Sequence, residues 1–341
     1  MVLRHLPLLL VLCSLIQACG TGAGNNANTG GEETPLTMAE LDARILADPS
    51  NASLFAQRAR FHEQRDSLLA AMRDWDRAIR LDSLDPRWRI AMGDLRYRKV
   101  DLPAAKSQFE RAIQLDPKNT EARLKLAELL LVERDFPEAM RHANDALRID
   151  DQNAKGYYLK GWIHQEAGDT ALAISSYRTA VERDPDMYES YIALGLIHAA
   201  TGDPLAMEYY NSAVEIRPTS VEAWYDRGMF AQEYGEDSVA IACYDRIKAI
   251  DPNNALAWYN TGYILLEHQE RYTEARSQFT QAIVVRPTYA QAYYNRGLTY
   301  ELDGKLDSAV MDYKQALALS PDMDLAALGL GRMHAKGLKV R

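Results

Sequence analysis

Cysteine is scarce in this sequence: of three in 341 residues, Cys13 and Cys19 lie near the start and Cys243 stands alone in everything that follows. A body with one thiol cannot be stapled by an internal disulfide, so packing must hold it together. Long apolar stretches are missing too. Beyond the N-terminal segment, none approaches the roughly 18 residues needed to cross a bilayer. Nor is there a basic cluster. The net charge is −9, and removal of residues 1–18, which contain Arg4 and no acid, leaves 38 basic against 48 acidic side chains. Such a chain repels phosphate backbones, which argues against nucleic acid as a partner. No His-Glu-x-x-His, paired-cysteine, glycine-rich phosphate loop or nucleophile-elbow pattern occurs. The expectation is therefore a protein that holds other molecules, with no catalytic residue, cofactor or metal.

What is present begins with an address. Arg4 and His5 precede the apolar run Leu6 to Ile16, followed by Gln17-Ala18-Cys19, the three regions of an export signal. Ile16-Gln17-Ala18-Cys19 resembles the lipobox of bacterial lipoproteins. That resemblance implies that residues 1–18 are removed and that Cys19 is acylated and becomes the N-terminus. Gly20 follows in place of the aspartate that retains some lipoproteins at the inner membrane, which points to an outer-membrane anchor facing the periplasm. Gly20 to Glu33 is a Gly, Asn and Thr tract that buries too little surface to offset its ordering entropy. Residues 19–36 thus read as an anchor and tether, with a root-mean-square reach of about 20 to 25 Å over ~17 residues.

The rest is periodic. Prolines at 117, 185, 218, 252, 287 and 321 recur at spacings of 68, 33, 34, 35 and 34 in near-identical company, as in Leu115-Asp116-Pro117 and Ile250-Asp251-Pro252. The interval defines repeats at 52–85, 86–119, 120–153, 154–187, 188–220, 221–254, 255–289 and 290–323. Position 8 of each is small: Ala59, Gly93, Ala127, Gly161, Gly195, Gly228, Gly262 and Gly297. Alanine recurs near position 20 and again at position 27, where Ile247 is the departure. Large rings recur near position 24, at Trp75, Phe109, Tyr177, Tyr210, Tyr244, Phe279 and Tyr313. These places resemble the signature of the tetratricopeptide repeat, in which two antiparallel helices approach closely at the small positions. The resemblance implies an all-α, right-handed α-solenoid of about eight helix-turn-helix units over residues 50–323. Thr37-Met38-Ala39-Glu40 has the capping-box pattern and predicts a closing helix within 37–49. Residues 324–341 read as a terminal helix and tail. The short fifth and long seventh repeats are expected to absorb their differences at the inter-helix turn.

In the family the first helix of each repeat lines a concave groove, chiefly through positions 2, 5, 9, 12 and 13. Positions 5 and 9 share one helix face. They are Ala56/Arg60, Ile90/Asp94 and Leu124/Glu128 in the first three repeats. They become Tyr158/Trp162, Ile192/Leu196, Tyr225/Met229, Tyr259/Tyr263 and Tyr294/Leu298 in the rest. The second set predicts an aromatic stripe flanked by Glu166, Glu233 and Glu267, of the residue types enriched at interface centres. Asn260 and Asn295 at position 6 stand where some relatives hold a peptide backbone. His62, His164 and His198 all fall at position 11, a packing address rather than a converging site.

The expected function is a membrane-tethered scaffold or adaptor that binds a protein or peptide partner in the cell envelope and helps assemble or regulate a complex there. The alternative is an accessory lipoprotein whose aromatic half-groove takes a glycan or small ligand. Leu325, Leu328 and Leu330 of the terminal helix offer a route to self-association.

Overall fold

The computed structural model describes residues 36–338, and among them every regular element is a helix. The export signal, Cys19 and nearly all of the tether lie outside the described residues. Two compact units divide at Ile163 and His164. The first contains α1 (Met38–Ala47), α2 (Ala52–Gln64), α3 (Leu68–Leu81), α4 (Pro86–Arg98), α5 (Leu102–Leu115), α6 (Thr120–Val132), α7 (Phe136–Ile149) and most of α8 (Ala154–Glu166). The second contains the end of α8, then α9 (Thr170–Arg183), α10 (Tyr188–Ala200), α11 (Leu205–Ile216), α12 (Val221–Glu233) and α13 (Asp237–Ile250). It continues through α14 (Ala255–Glu267), α15 (Tyr272–Val285), α16 (Ala290–Leu302), α17 (Leu306–Leu319) and α18 (Asp324–Ala335). From α2 to α17 the helices follow one another as eight pairs. Between pairs, α3 packs on α4, α5 on α6, α9 on α10, α11 on α12, α13 on α14 and α15 on α16.

Local chemistry sets where the helices begin. Thr37 and Glu40 complete a reciprocal capping box at α1, which satisfies two otherwise orphaned donors. Side chains of Asn51, Asp85, Asn119, Ser220 and Asn254 accept from first-turn amides of α2, α4, α6, α12 and α14. Between the two helices of every pair one residue has positive φ: Asp66, Val100, Arg134, Gly168, Gly202, Gly235, Glu270 and Gly304. Glycine adopts that conformation at no steric cost, whereas the β-branched Val100 is strained there. The extra residue of the seventh repeat sits in this turn, at 268–271. The residue missing from the fifth is taken from the start of the second helix, so α11 has 12 residues where most second helices have 14.

The small position 8 has a direct steric cause. A Cβ built on Gly93 would lie 2.4 Å from Phe109 Cε1, and one on Gly195 would lie 2.5 Å from Tyr210 Cε1. Gly262 and Gly297 stand 2.9 Å, by the same measure, from the rings of Phe279 and Tyr313. The third repeat solves the contact differently, with Ala127 and Ala143 both fully buried and no ring at position 24. Ile247, large where position 27 is otherwise alanine, is fully buried in a cluster that contains Ala231, Ala240 and Ala257.

Substitution Gly93→Ala must push the Phe109 ring or part α4 from α5, and overpacking of that kind costs about 1–3 kcal/mol. A lowered urea midpoint at unchanged slope is the expected result. An unchanged midpoint would show that the contact yields freely.

Candidate functional site

On the first-helix face of the N-terminal unit, charges neutralise one another from repeat to repeat. Glu63 pairs with Arg98 at 3.5 Å, Asp94 with Lys125 at 2.9 Å, and Glu128 with Lys155 at 3.7 Å. Exposed pairs of this kind contribute little stability each, but they leave few charges on that face unmatched. At the end of the ladder Tyr158 and Trp162 lie one turn apart on α8 with ring centroids 6.2 Å apart. Trp162 is half-buried against the cluster that contains Leu130, Leu159 and Ile163.

In the C-terminal unit the position-5 tyrosines lean inward onto the ring at position 24 of their own repeat. Centroid separations are 6.5 Å for Tyr225 and Tyr244, 5.7 Å for Tyr259 and Phe279, and 5.7 Å for Tyr294 and Tyr313. Tyr259 also meets Tyr289 at 4.9 Å, and burial pushes its hydroxyl up to about 12. These tyrosines are shared between core and surface. The more open members of the face are at position 9, where Leu196 is 43% and Met229 38% exposed. Tyr263 is half-buried, edge-on to His268.

The two asparagines are placed otherwise than a peptide-holding role requires. Asn260 is 9% and Asn295 5% exposed. Asn260 Nδ2 reaches Met229 Sδ at 3.6 Å and the side chain also bonds the Tyr244 hydroxyl. Asn295 Nδ2 donates to the Tyr259 hydroxyl at 2.9 Å. Both are spent on ties to the preceding repeat, a role that position 6 in the sequence does not distinguish from presentation.

A second regularity was not read from the sequence. Where the position-24 ring carries a donor, position 12 of the same repeat supplies an acceptor. Trp75 Nε1 donates to Glu63 at 2.5 Å, Tyr177 to Gln165 at 2.8 Å, Tyr244 to Gln232 at 2.8 Å and Tyr313 to Glu301 at 2.7 Å. The fifth repeat breaks the rule: Ala199 occupies position 12 and offers Tyr210 no side-chain acceptor. Tyr210 is 1% exposed, and its pKa is raised by burial and then by Asp226. Asp226 holds the register of Asn260 and Asn295 but forms no ion pair among the described residues. Burial, aided by Glu222, pushes its carboxyl up to about 7. Comparing position 12 with position 24 would have exposed the anomaly in the sequence.

The remaining polar candidates are dispersed. His62 faces Asp74 at 3.7 Å, His164 faces Asp169 at 4.0 Å and His198 faces Asp203 at 2.8 Å, each within its own repeat. Cys243 is fully buried, burial pushes its thiol up, and Arg227 Nη1 lies 3.1 Å from its Sγ. That place is taken by Asp74 and Asp312 in the first and last repeats, where they bind Arg58 and Arg296. No group of three or more His, Cys, Asp or Glu among the described residues could hold a metal ion. On α18, Leu330 packs toward Val310, Tyr313 and Met333, while Leu325 and Leu328 are exposed.

Comparison with known proteins adds the following. Tetratricopeptide-repeat models match residues 100–163, 158–221, 243–277 and 290–323, and a TPR-repeat model matches 268–304. The chain is 35% identical over 86 residues to the photosystem I assembly protein Ycf3 of Acaryochloris marina, which covers 24% of this chain and 52% of that protein. It thus spans about half the length of that curated relative. It is 30% identical to the crystal structure of MamA, over 47% of this chain and 94% of that one, with a TM-score of 0.44. The C-terminal part of a TPR repeat-containing protein from Cytophaga hutchinsonii aligns at a TM-score of 0.60 and 18% identity, over 71% of this chain and 99% of that one. That likeness shows the fold, an α-solenoid of helix pairs, as the sequence led us to expect.

The raised carboxyl of Asp226 carries a pH signature. Its folded-state value, about 7, exceeds the usual 3.8, so the folded protein binds the proton more tightly. Stability is full below pH ~4 and declines as pH rises through ~7. Asp226→Asn should flatten that part of the slope and gain on the order of 2 kcal/mol at pH 8 relative to pH 5. Urea unfolding at both pH values measures it, and parallel profiles would place Asp226 in water.

Proposed function

This chain belongs to the tetratricopeptide-repeat family, and we propose that it is a membrane-tethered scaffold whose first-helix face docks partner proteins during assembly or regulation of a bacterial envelope complex. One observation carries the reading: Met229 and Leu196 are exposed at position 9, and Tyr225, one helical turn from Met229, is half-buried on the core below it. Aromatic and methionine side chains held on rigid elements contribute area at low entropic cost, and such groups are enriched at interface centres. The photosystem I assembly role in the name of Ycf3 supports an assembly function. Catalysis finds no support, because the histidine–carboxylate contacts lie apart from one another in separate repeats, Cys243 is buried against Arg227, and tetratricopeptide proteins are generally non-enzymatic scaffolds.

Export and anchoring complete the proposal. Acylation at Cys19 with a tether to Thr37 would confine the scaffold to the periplasmic face of a membrane, more readily the outer one. Confinement raises the effective concentration of a membrane-bound partner without demanding high intrinsic affinity. Several acyl chains hold stably where one binds marginally.

Two measurements test this reading. Cys19→Ala should move the full chain from the membrane fraction to the soluble periplasmic fraction and abolish incorporation of a labelled fatty acid. Retention with no label in the unsubstituted chain would reject the anchor. Separately, the immobilised full chain should capture an envelope protein that a Tyr158→Glu, Trp162→Glu, Tyr263→Glu variant of equal helicity does not. Equal capture by both would move the docking surface elsewhere. Loss of glycan-array binding with no change in protein capture would assign the face to a glycan or small ligand instead.

A further inference from the structure

The terminal helix α18 is built as the first helix of a further pair. Counted on in the register of the eight repeats, it places Leu328 at position 5 and Gly331 at position 8. In the eighth repeat a ring of the second helix covers both places: Tyr294 meets Tyr313 at 5.7 Å, and a Cβ built on Gly297 would lie 2.9 Å from the same ring. On α18 neither place is covered. Leu328 is 62% and Leu325 56% exposed, and a Cβ built on Gly331 would meet nothing within 4 Å. The opposite flank is spent on the fold, since Ala326, Gly329 and Met333 are buried and a Cβ on Gly329 would lie 2.7 Å from Tyr313 Cε2. What remains is an exposed strip of Leu328, Gly331 and Ala335 along one helix face, with Leu325 beside it.

The charges at the two ends of the strip specify what fits it. Asp324 opens α18 and forms no ion pair among the described residues. At the other end Arg332 and Lys336 both turn to one carboxylate, Glu301, at 2.7 and 3.5 Å, so a positive charge is left over. A strip that is acidic where it starts and basic where it ends is complementary to itself run backwards. The helix dipoles favour the same sense. It is also the sense in which the second helix of each pair meets the first.

We propose that the uncovered face of α18 joins two copies of this chain about a two-fold axis, α18 packed antiparallel on α18. With the axis level with Gly329 and Leu330, Leu328 of each copy lies over Gly331 of the other, and Asp324 of each reaches the Lys336 end of the other. Bulk meets gap and acid meets base twice, as a self-complementary contact requires. The 12 residues of α18 span about 18 Å, so the interface is small and the pair weak, with a dissociation constant on the order of 10 to 100 µM. The inference stands apart from what the first helices of the eight repeats dock.

The test is sedimentation equilibrium of the full chain in density-matched detergent at rising concentration, beside variants of equal helicity. The mass should climb from one chain toward two, and Leu328→Asp or Gly331→Leu should each weaken the pairing by about tenfold or more. Asp324→Lys alone and Lys336→Glu alone set like charges together at both ends, and each should pair about fivefold more weakly with itself. An equimolar mixture of those two variants restores opposite charges at both ends and should recover the original strength. The mass of a single chain up to about 0.5 mM, well above the expected dissociation constant, overturns the proposal. Pairing that Leu328→Asp leaves intact does the same, and failure of the mixture to recover overturns the antiparallel contact. If the chain stays single while capture of an envelope protein is lost in Leu328→Asp, the face belongs to a different protein and the two-copy contact is rejected.

Discussion

The ring that lies across position 8 of a first helix fixes how near the two helices of a pair can run, and the rest of the structure follows from that distance. Phe109 over Gly93 and Tyr210 over Gly195 leave no room for a single methyl group. At that separation the alanines near positions 20 and 27 become obligatory, and all but one of them are kept. A pair held so tightly buries one flank and exposes another, and the exposed flank is covered only by the next pair. Close packing inside one repeat thus creates the demand for its neighbours.

The fold was legible because this constraint is stated in seven of the eight repeats. A glycine at 93 alone says little, but small residues at 93, 195, 228, 262 and 297 at one interval say that something large stands opposite each. Turn chemistry was less visible. Gly168, Gly202, Gly235 and Gly304 announce positive φ, whereas Asp66, Val100, Arg134 and Glu270 adopt it without any such signal. Those four are held there by the closure of the pair, which overrides local preference.

The candidate site was legible only as a list of positions. The sequence identified which residues sit at positions 5, 6 and 9 but not how deeply each is used. Tyr225, Tyr259 and Tyr294 turned out to rest on the ring below them, and Asn260 and Asn295 to be consumed in ties between repeats. The informative polar groups are those whose expected partner is missing. Asp226 was in plain view as one of several residues at position 6, but its effect falls on Tyr210, a residue of a different repeat. Relations of that kind cross the repeat boundary, so periodicity within one unit cannot report them.

The polar bonds of this protein fall into two sorts with different fates under tandem duplication. The position-12 to position-24 bond is private to a repeat, as in Gln232 with Tyr244, so a copied repeat brings both halves with it. The ladder of Glu63 with Arg98 and Asp94 with Lys125 is shared between neighbours, so a repeat inserted between them inherits one half and must find another. Copying therefore preserves interiors and scrambles faces. An array built in this way can lengthen without relearning how to fold, while each new junction presents a fresh surface on which selection for a partner can act.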